Sequence, residues 1–436
     1  MNKLFENYKE RINVSESIYR QSHNGEKLSN SRKLCIAQCL KNVDNFLSES
    51  FNASSGTQRS DFGAYKKFCL NLTTCALPNL ILPELVIVSP MTSISGSVAY
   101  IKYVSSVKKG GQAAGTVLNT PFALGNVDES YTSDRVSEQQ TAVEKDGAVV
   151  INLDWFPVIE GSVRLKVNGA EVSDFTLDPE TGLVTINSGA VAGDTVKALY
   201  VYDNIVVPQN NIPMIKAEMA NIPLYAKARR IAVYYSNLAA FQAKQDYGVN
   251  LGDQLAEKAV AQLQYEIDTE GTQLLVDLAQ EDADLVWSKT QPIGVSLTEH
   301  YIGFTVKLAT AAQKIYDRTK RFTPNYMLCA SDIIPVLSLI PGFNQAPGGM
   351  KNGPYFAGTI NGLKVFVTPN IEAGKFVVGV NGDDMMSSAA VYAPYMPIVP
   401  TQLMQYNDGG TTQGWSTMYD LKPLNEDLVI AGKITA

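Results

Sequence analysis

Chemistry at neutral pH usually begins with histidine or cysteine, and this sequence has two of the first and five of the second. His23 and His300 stand apart, and no serine, cysteine or carboxylate is spaced with either to suggest a triad. His300 precedes Tyr301 near a helix start and reads as a surface or satisfied polar contact. Cys35 and Cys39 are four apart, a helical spacing; Cys69 and Cys75 follow, and Cys329 is alone. With no C-x-x-C pair and so few histidines, neither a zinc site nor a disulfide framework is expected. The thiols read as reduced and buried, in a chain folded in a reducing cytoplasm. The glycine-rich "GGMKNGPYFAG" (348–358) lacks the G-x-x-x-x-G-K-[ST] order that cradles phosphate. Asp383-Asp384 lies in N-G-D-D, a turn before it is a cation site. Glu281, Asp282 and Asp284 follow a helix and read as a solvated acidic cluster. Arg229-Arg230 and "YDRTKRF" (316–322) offer cations without the interleaved aromatics of a nucleic-acid-binding sheet, and read as salt-bridging or solvated. No catalytic, cofactor-binding or metal-ligating residue is assigned, and no cofactor is expected.

The elements that would position such groups are clearer than the groups themselves. A 45% hydrophobic, 18% charged composition is that of folded protein, and 436 residues predict two to four domains. The net charge of −7 comes from 43 acidic and 36 basic residues and argues against a dedicated nucleic-acid-binding domain. The first twenty residues show no signal-peptide core, and the most apolar early run, 77–90, is interrupted by Pro78, Pro83, Pro90 and Glu84, so no membrane association is expected. Residues 1–60 read as a flexible N-terminal arm, Ser-, Asn- and Gly-rich over 48–63. A helix follows with Phe62, Tyr65, Phe68, Cys69 and Leu72 on one face. Strands near 85–103 lead into a long glycine-rich polar stretch to about 144, read as a loop reaching away from the body. Residues 145–204 read as a small β-sandwich or barrel inserted into a larger domain: Val163, Leu165 and Val167 alternate with Arg164 and Lys166, Asn168-Gly169 makes a hairpin, and Asp178 to Gly182 makes another turn. Residues 212–236 read as extended chain broken at Pro223. A short helix closed by Gly248 and a long one over about 253–280 come next, with Asp253 as N-cap and Gly271 marking a bend. Ser296 to Glu299 forms a capping box. Strands mixed with helices then predict an α+β domain, with a hairpin at Asn361-Gly362.

This order of parts resembles the major capsid proteins of tailed bacteriophages, the Hong Kong 97-type shell fold, and in particular the branch in large contractile-tailed phages. The resemblance covers most of 60–436. Its carriers are "PLYAKARRIAVYYSNLAAFQAKQDYGVNLGDQLAEKAVAQLQYEIDTEG", "GTINGLKVFVTPN" and "VVGVNGDDMMSSAAVYAPYMPIVP". Tyr265-Glu266-Ile267 stands at the family's spine-helix position, and Tyr392-Ala393-Pro394-Tyr395-Met396-Pro397 at its aromatic-proline strip.

The resemblance implies an α+β fold with an N-terminal arm (1–60), the start of a peripheral domain and first half of an extended loop (61–144), and an inserted β-domain (145–204). A return strand and spine helix (205–289), an axial domain (290–405) and C-terminal strands returning to the peripheral domain (406–436) complete it. It implies a non-enzymatic protein whose hexamers tile an icosahedral head, made and assembled in the bacterial cytoplasm. The implied partners are scaffold, portal, vertex and decoration proteins, with packaged DNA nearby. It also implies a protease cut between Glu49 and Ser50, in the L-x-E context of Leu47-Ser48-Glu49. Loop contacts are implied at Lys108 and Lys109, and a subunit-contact strip at Tyr392, Pro394, Tyr395 and Pro397, for which a core strand of one chain is the competing reading. A second class of function fits the β-module: a tail, baseplate or surface-binding protein that recognises a receptor or glycan.

Overall fold

The structure is a computed structural model of the chain and describes residues 2–22, 25–53, 59–110, 113–119, 131–145, 147–205, 212–346, 353–382, 387–401, 404–407 and 409–435. The chain divides into two compact units, Met1–Val98 with Ile222–Ala436, and Ala99–Asn221.

The helices belong to the first unit: α1 (Asn2–Ser22), α2 (Asn30–Ala53), α3 (Arg59–Ala76), α4 (Leu82–Leu85), α5 (Asn237–Tyr247), α6 (Leu251–Leu278), α7 (Leu297–Thr319) and α8 (Ile334–Ser338). The expected flexible arm is therefore not what the structure has. Helix α2 buries Cys35, Ile36, Cys39, Leu40, Val43 and Leu47, a helical apolar stripe that the polar composition around it obscures. Its polar residues are used as well: the buried Asn42 amide donates to the carbonyls of Met91 (2.8 Å) and Tyr395 (2.7 Å). In α3, Cys69 is buried but Phe68 is exposed, so the apolar face lies over Cys69, Leu70 and Thr73 instead. The side chains of Phe62 and Tyr65 lie outside the described residues.

Helix α6 starts from Asn250 rather than Asp253, and the Asn250 amide donates to the Asp253 carboxylate at 2.7 Å. Gly271 has a reason other than a bend. A Cβ there would lie 2.1 Å from Leu82 Cδ1, so the helix is bare at this point to let α4 pack on it. The capping box Ser296–Glu299 opens α7, and Gly248, left-handed at φ +67°, closes α5.

Two sheets complete this unit. In the first, Ile87–Val88, Ala390–Pro400, Gly410–Pro423 and Lys227–Ser236 lie side by side, with Met404–Gln405 added to Gly410–Pro423. The second has seven strands in the order Gln280–Ser288, Val429–Thr435, Lys375–Gly379, Tyr326–Cys329, Leu363–Val367, Tyr355–Ile360 and Asn344–Gln345. Its hairpin at Asn361-Gly362 has both residues at positive φ, 49° and 82°, as a type I′ turn requires. Phe304 of α7 packs edge-on against Phe376 of this sheet, 5.3 Å between centroids.

The second unit is all β. One four-stranded antiparallel sheet runs Arg135–Thr141, Thr195–Val201, Arg164–Val167, Ala170–Val172; the other runs Val143–Lys145, Ala148–Asn152, Leu183–Ile186, Phe175–Asp178. Inward residues of both, among them Val136, Leu165, Val196, Ile151 and Val184, share one core. The first strand lies within the segment read from sequence as a projecting loop. Its only apolar inward residue is Val136, because the next inward position is Glu138, so alternation gives no signal there. A three-stranded ribbon is formed by Ile215–Tyr225, Ser95–Ser105 and Val117–Asn119. Pro223 sits inside the first of these; the break before Lys227–Ser236 falls at Ala226.

Candidate interaction surfaces

Several of the described residues whose types could do chemistry are held in structural contacts. His300 Nε2 lies 2.9 Å from the Ser288 carbonyl and its ring stacks on Trp287 at 4.8 Å. Lys314 bridges Asp282 and Asp284, each at 2.5 Å, and Lys375 pairs with Glu281 at 2.8 Å, so the acidic cluster is neutralised by its own chain; it lies on a strand rather than at a helix end. Arg229 pairs with Glu270 (2.6 Å) and lies over the Tyr419 ring. Cys35 and Cys39 are buried with sulfurs 4.0 Å apart, Cys69 and Cys329 are buried, and Cys75, against expectation, is exposed. Among the described residues no group of three His, Cys, Asp or Glu could hold a metal, and no helix is long and apolar enough to cross a membrane. His23, Asp383, Asp384 and residues 348–352 lie outside the described residues.

Two carboxyls are perturbed by burial. Asp268 of α6 is buried, accepts from the Ile81 and Leu82 backbone N–H groups (3.1 and 2.9 Å), and is pushed up to about 7 by desolvation. Glu138 is pushed up to about 7 by burial and then by the neighbouring Asp154 carboxylate, while the Asp154 backbone N–H donates to it at 3.2 Å. The sequence reading missed both, since a buried carboxylate resembles an exposed one in the one-letter code.

The expected contact residues fall in two groups. Tyr392, Pro394 and Pro397 are buried and Tyr395 half-buried, in a strand flanked on both sides within its own sheet. Within the chain they belong to a core strand, the competing reading of this strip, with Tyr395 packed partly against the core. Pairing with Gly410–Pro423 is irregular between Pro394 and Met396 and between Met396 and Val399, which is how an interior strand accommodates prolines. Lys109 is also no surface contact: it is 1% exposed, donates to the carbonyls of Tyr131 (3.0 Å) and Ser133 (2.5 Å), and lies over the rings of Trp155 and Tyr202. Lys108 is exposed and pairs with Asp154 at 2.8 Å. Glu49 is exposed on α2; the side chain of Ser50 lies outside the described residues.

What remains without an internal role is apolar surface. Helix α5 has no buried residue, and it exposes Leu238, Phe241 and Tyr247, the last 80%. In the second unit the ribbon exposes Ile101, Tyr103, Ile215 and Met219, the last 78%. On α7, Ile302 and Val306, one turn apart, are exposed too. An eleven-residue helix is marginal by itself, and large apolar side chains gathered on exposed elements mark surfaces that other chains cover.

Large apolar side chains left uncovered on α5, the ribbon and α7 are the mark of a subunit that other chains cover. The family model "Major capsid protein Gp23" matches residues 62–428, and the chain belongs to that family. It is a phage major capsid protein, a structural component of the virion rather than a member of an enzyme class. No curated protein matches it. Similar solved structures include one from Microbacterium phage Oxtober96 (10% identity over 81% of this chain and 91% of that one, TM-score 0.40). Others are the capsid of Myoviridae phage XM1 (10%, 67% and 88%, TM-score 0.35) and the mature capsid of bacteriophage PhiM1 (12%, 51% and 74%, TM-score 0.34).

Proposed function

We propose that copies of this chain form hexamers that tile an icosahedral head around double-stranded DNA, in a Hong Kong 97-type arrangement. In this reading α6 is the spine of the peripheral domain; its 28 residues span about 42 Å. The ribbon is the extended loop laid over a neighbouring subunit, the two four-stranded sheets are the inserted domain, and the seven-stranded sheet with α7 is the axial domain. Assembly takes place in the host cytoplasm with scaffold, portal, vertex and decoration proteins. A protease cut after Glu49 belongs to the same reading.

The observation that carries the proposal is α5, a helix with no buried residue in its own chain. Covering a side chain such as Phe241 or Leu238 in a neighbour's surface contributes about 1.5–3 kcal/mol, and each copy in a closed shell repeats that gain with its neighbours. Sedimentation velocity across concentrations, with negative-stain electron microscopy, tests it. Rings of six, tubes or closed shells are expected; a sharp monomer at every concentration, with and without scaffold, refutes it.

A further inference from the structure

The four-stranded sheet that begins with Arg135–Thr141 turns one face to its core and the other to solvent, and the solvent face is basic. Register places Val201 beside Arg135, Leu199 between Ser137 and Arg164, Lys197 between Gln139 and Lys166, and Thr195 beside Thr141. Arg135, Arg164, Lys166 and Lys197 are all exposed, and among the described residues none of them makes an ion pair. Lys166 and Lys197 are directly opposed, an arrangement that costs stability in a sheet. Glu171, opposite Lys166 on the other side, is the one acid in this grid. The face is an exception in a chain of net charge −7, and the same unit exposes Asp174, Asp178 and Glu180 just before, at the end of and just after the edge strand Phe175–Asp178 of its other sheet.

We infer that this basic sheet face is a docking surface for the acidic surface of a second copy of the chain, with Asp174, Asp178 and Glu180 as its complement. Two features favour a protein partner over nucleic acid. The centre of the face is Leu199, 47% exposed between cationic and polar neighbours, an apolar anchor with a charged surround. No aromatic ring stands on the face to stack a base. Opposed lysines make sense when an acid comes between them: the mutual repulsion that burdens the separate chain becomes attraction in the assembly.

The inference rests on the assembling-shell reading, and one experiment separates the two. Isotopically mixed assemblies are treated with a zero-length carbodiimide, which joins lysine to carboxylate, and linked peptides are sequenced. Peptides joining Lys166 or Lys197 to an Asp or Glu of a differently labelled copy are expected. In parallel, Lys166→Glu with Lys197→Glu is compared with wild type, the fold of the unit being checked by the emission of Trp155. The variant is expected to need at least about fivefold more protein to assemble in 0.05 M NaCl and to converge on wild type near 0.5 M, where such pairs are screened. Assemblies with no such cross-links and equal assembly of the variant overturn this docking face alone. Lysines shielded from acetylation until nuclease is added overturn it in favour of nucleic acid. Absence of any assembly overturns both readings.

Discussion

Gly271→Ala sets two opposed effects against each other inside α6. Helix propensity favours alanine by about 1 kcal/mol at an interior helical position. Against this, the new methyl would lie 2.1, 2.8 and 2.9 Å from three carbons of Leu82, where ordinary contact begins near 3.5 Å. Leu82 cannot easily withdraw. It is fully buried, and its backbone N–H is held at 2.9 Å by Asp268, one turn back on the same helix. Inserting a methyl into so tight a site costs about 1–3 kcal/mol in general, and this contact belongs at the upper end. The expected net result is a loss of about 1–2 kcal/mol. The assay is urea unfolding followed by the emission of Trp287 and Trp415, both buried in the first unit. The double variant Gly271→Ala with Leu82→Ala supplies the decisive comparison, since with Leu82 shortened the methyl has room and alanine at 271 becomes neutral or stabilising. A single variant as stable as wild type or more so, or a cycle with no coupling, refutes the reasoning.

Three further outcomes are expected. Glu138 has a folded pKa raised to about 7 against an ordinary 4.5, so its contribution to stability is full below pH 4.5 and is lost as pH rises to 7, on the order of 2–3 kcal/mol; Glu138→Gln flattens that slope, read from Trp155 emission in urea at pH 5 and pH 8. Lys109→Met strands the carbonyls of Tyr131 and Ser133 and lowers stability by about 2–4 kcal/mol, whereas Lys108→Ala, an exposed ion pair, costs less than about 1 kcal/mol, both by the same unfolding assay. Phe241→Ser on α5 leaves the unfolding of the separate chain within about 0.5 kcal/mol of wild type but raises the protein concentration needed for assembly, measured by sedimentation.

How legible this molecule was in its sequence depended on whether an element is written in apolar periodicity or in polar detail. The Asn168-Gly169 and Asn361-Gly362 hairpins, the α7 capping box and the glycine closing α5 are local chemistry, read correctly from a few letters. The N-terminal helices were not legible, since serines and asparagines around 48–63 outweighed the Cys35 to Leu47 stripe, and one of the partners of α2, the strand Ala390–Pro400, lies about 350 residues away. Strand Arg135–Thr141 was hidden because a carboxyl, Glu138, occupies an inward position normally taken by an aliphatic. The strip at Tyr392–Pro397 was conspicuous for its composition, but composition does not say whether an apolar segment is covered by its own chain or by another. Whether a helix such as α5 is left uncovered depends on exposure in the folded chain, which only the tertiary structure defines.

The placement of Val429–Thr435 bears on the timing of folding. This strand is synthesised after every other member of the seven-stranded sheet, yet it lies between Gln280–Ser288 and Lys375–Gly379, parallel to the first and antiparallel to the second. The sheet therefore stays divided until that strand has been made, with Gln280–Ser288 waiting for a neighbour about 150 residues downstream in a pairing that closes a very long loop. Until Val429–Thr435 has been made, the strands on either side of its place have no neighbour to pair with there, and its insertion is the step that joins Gln280–Ser288 to the rest of the sheet.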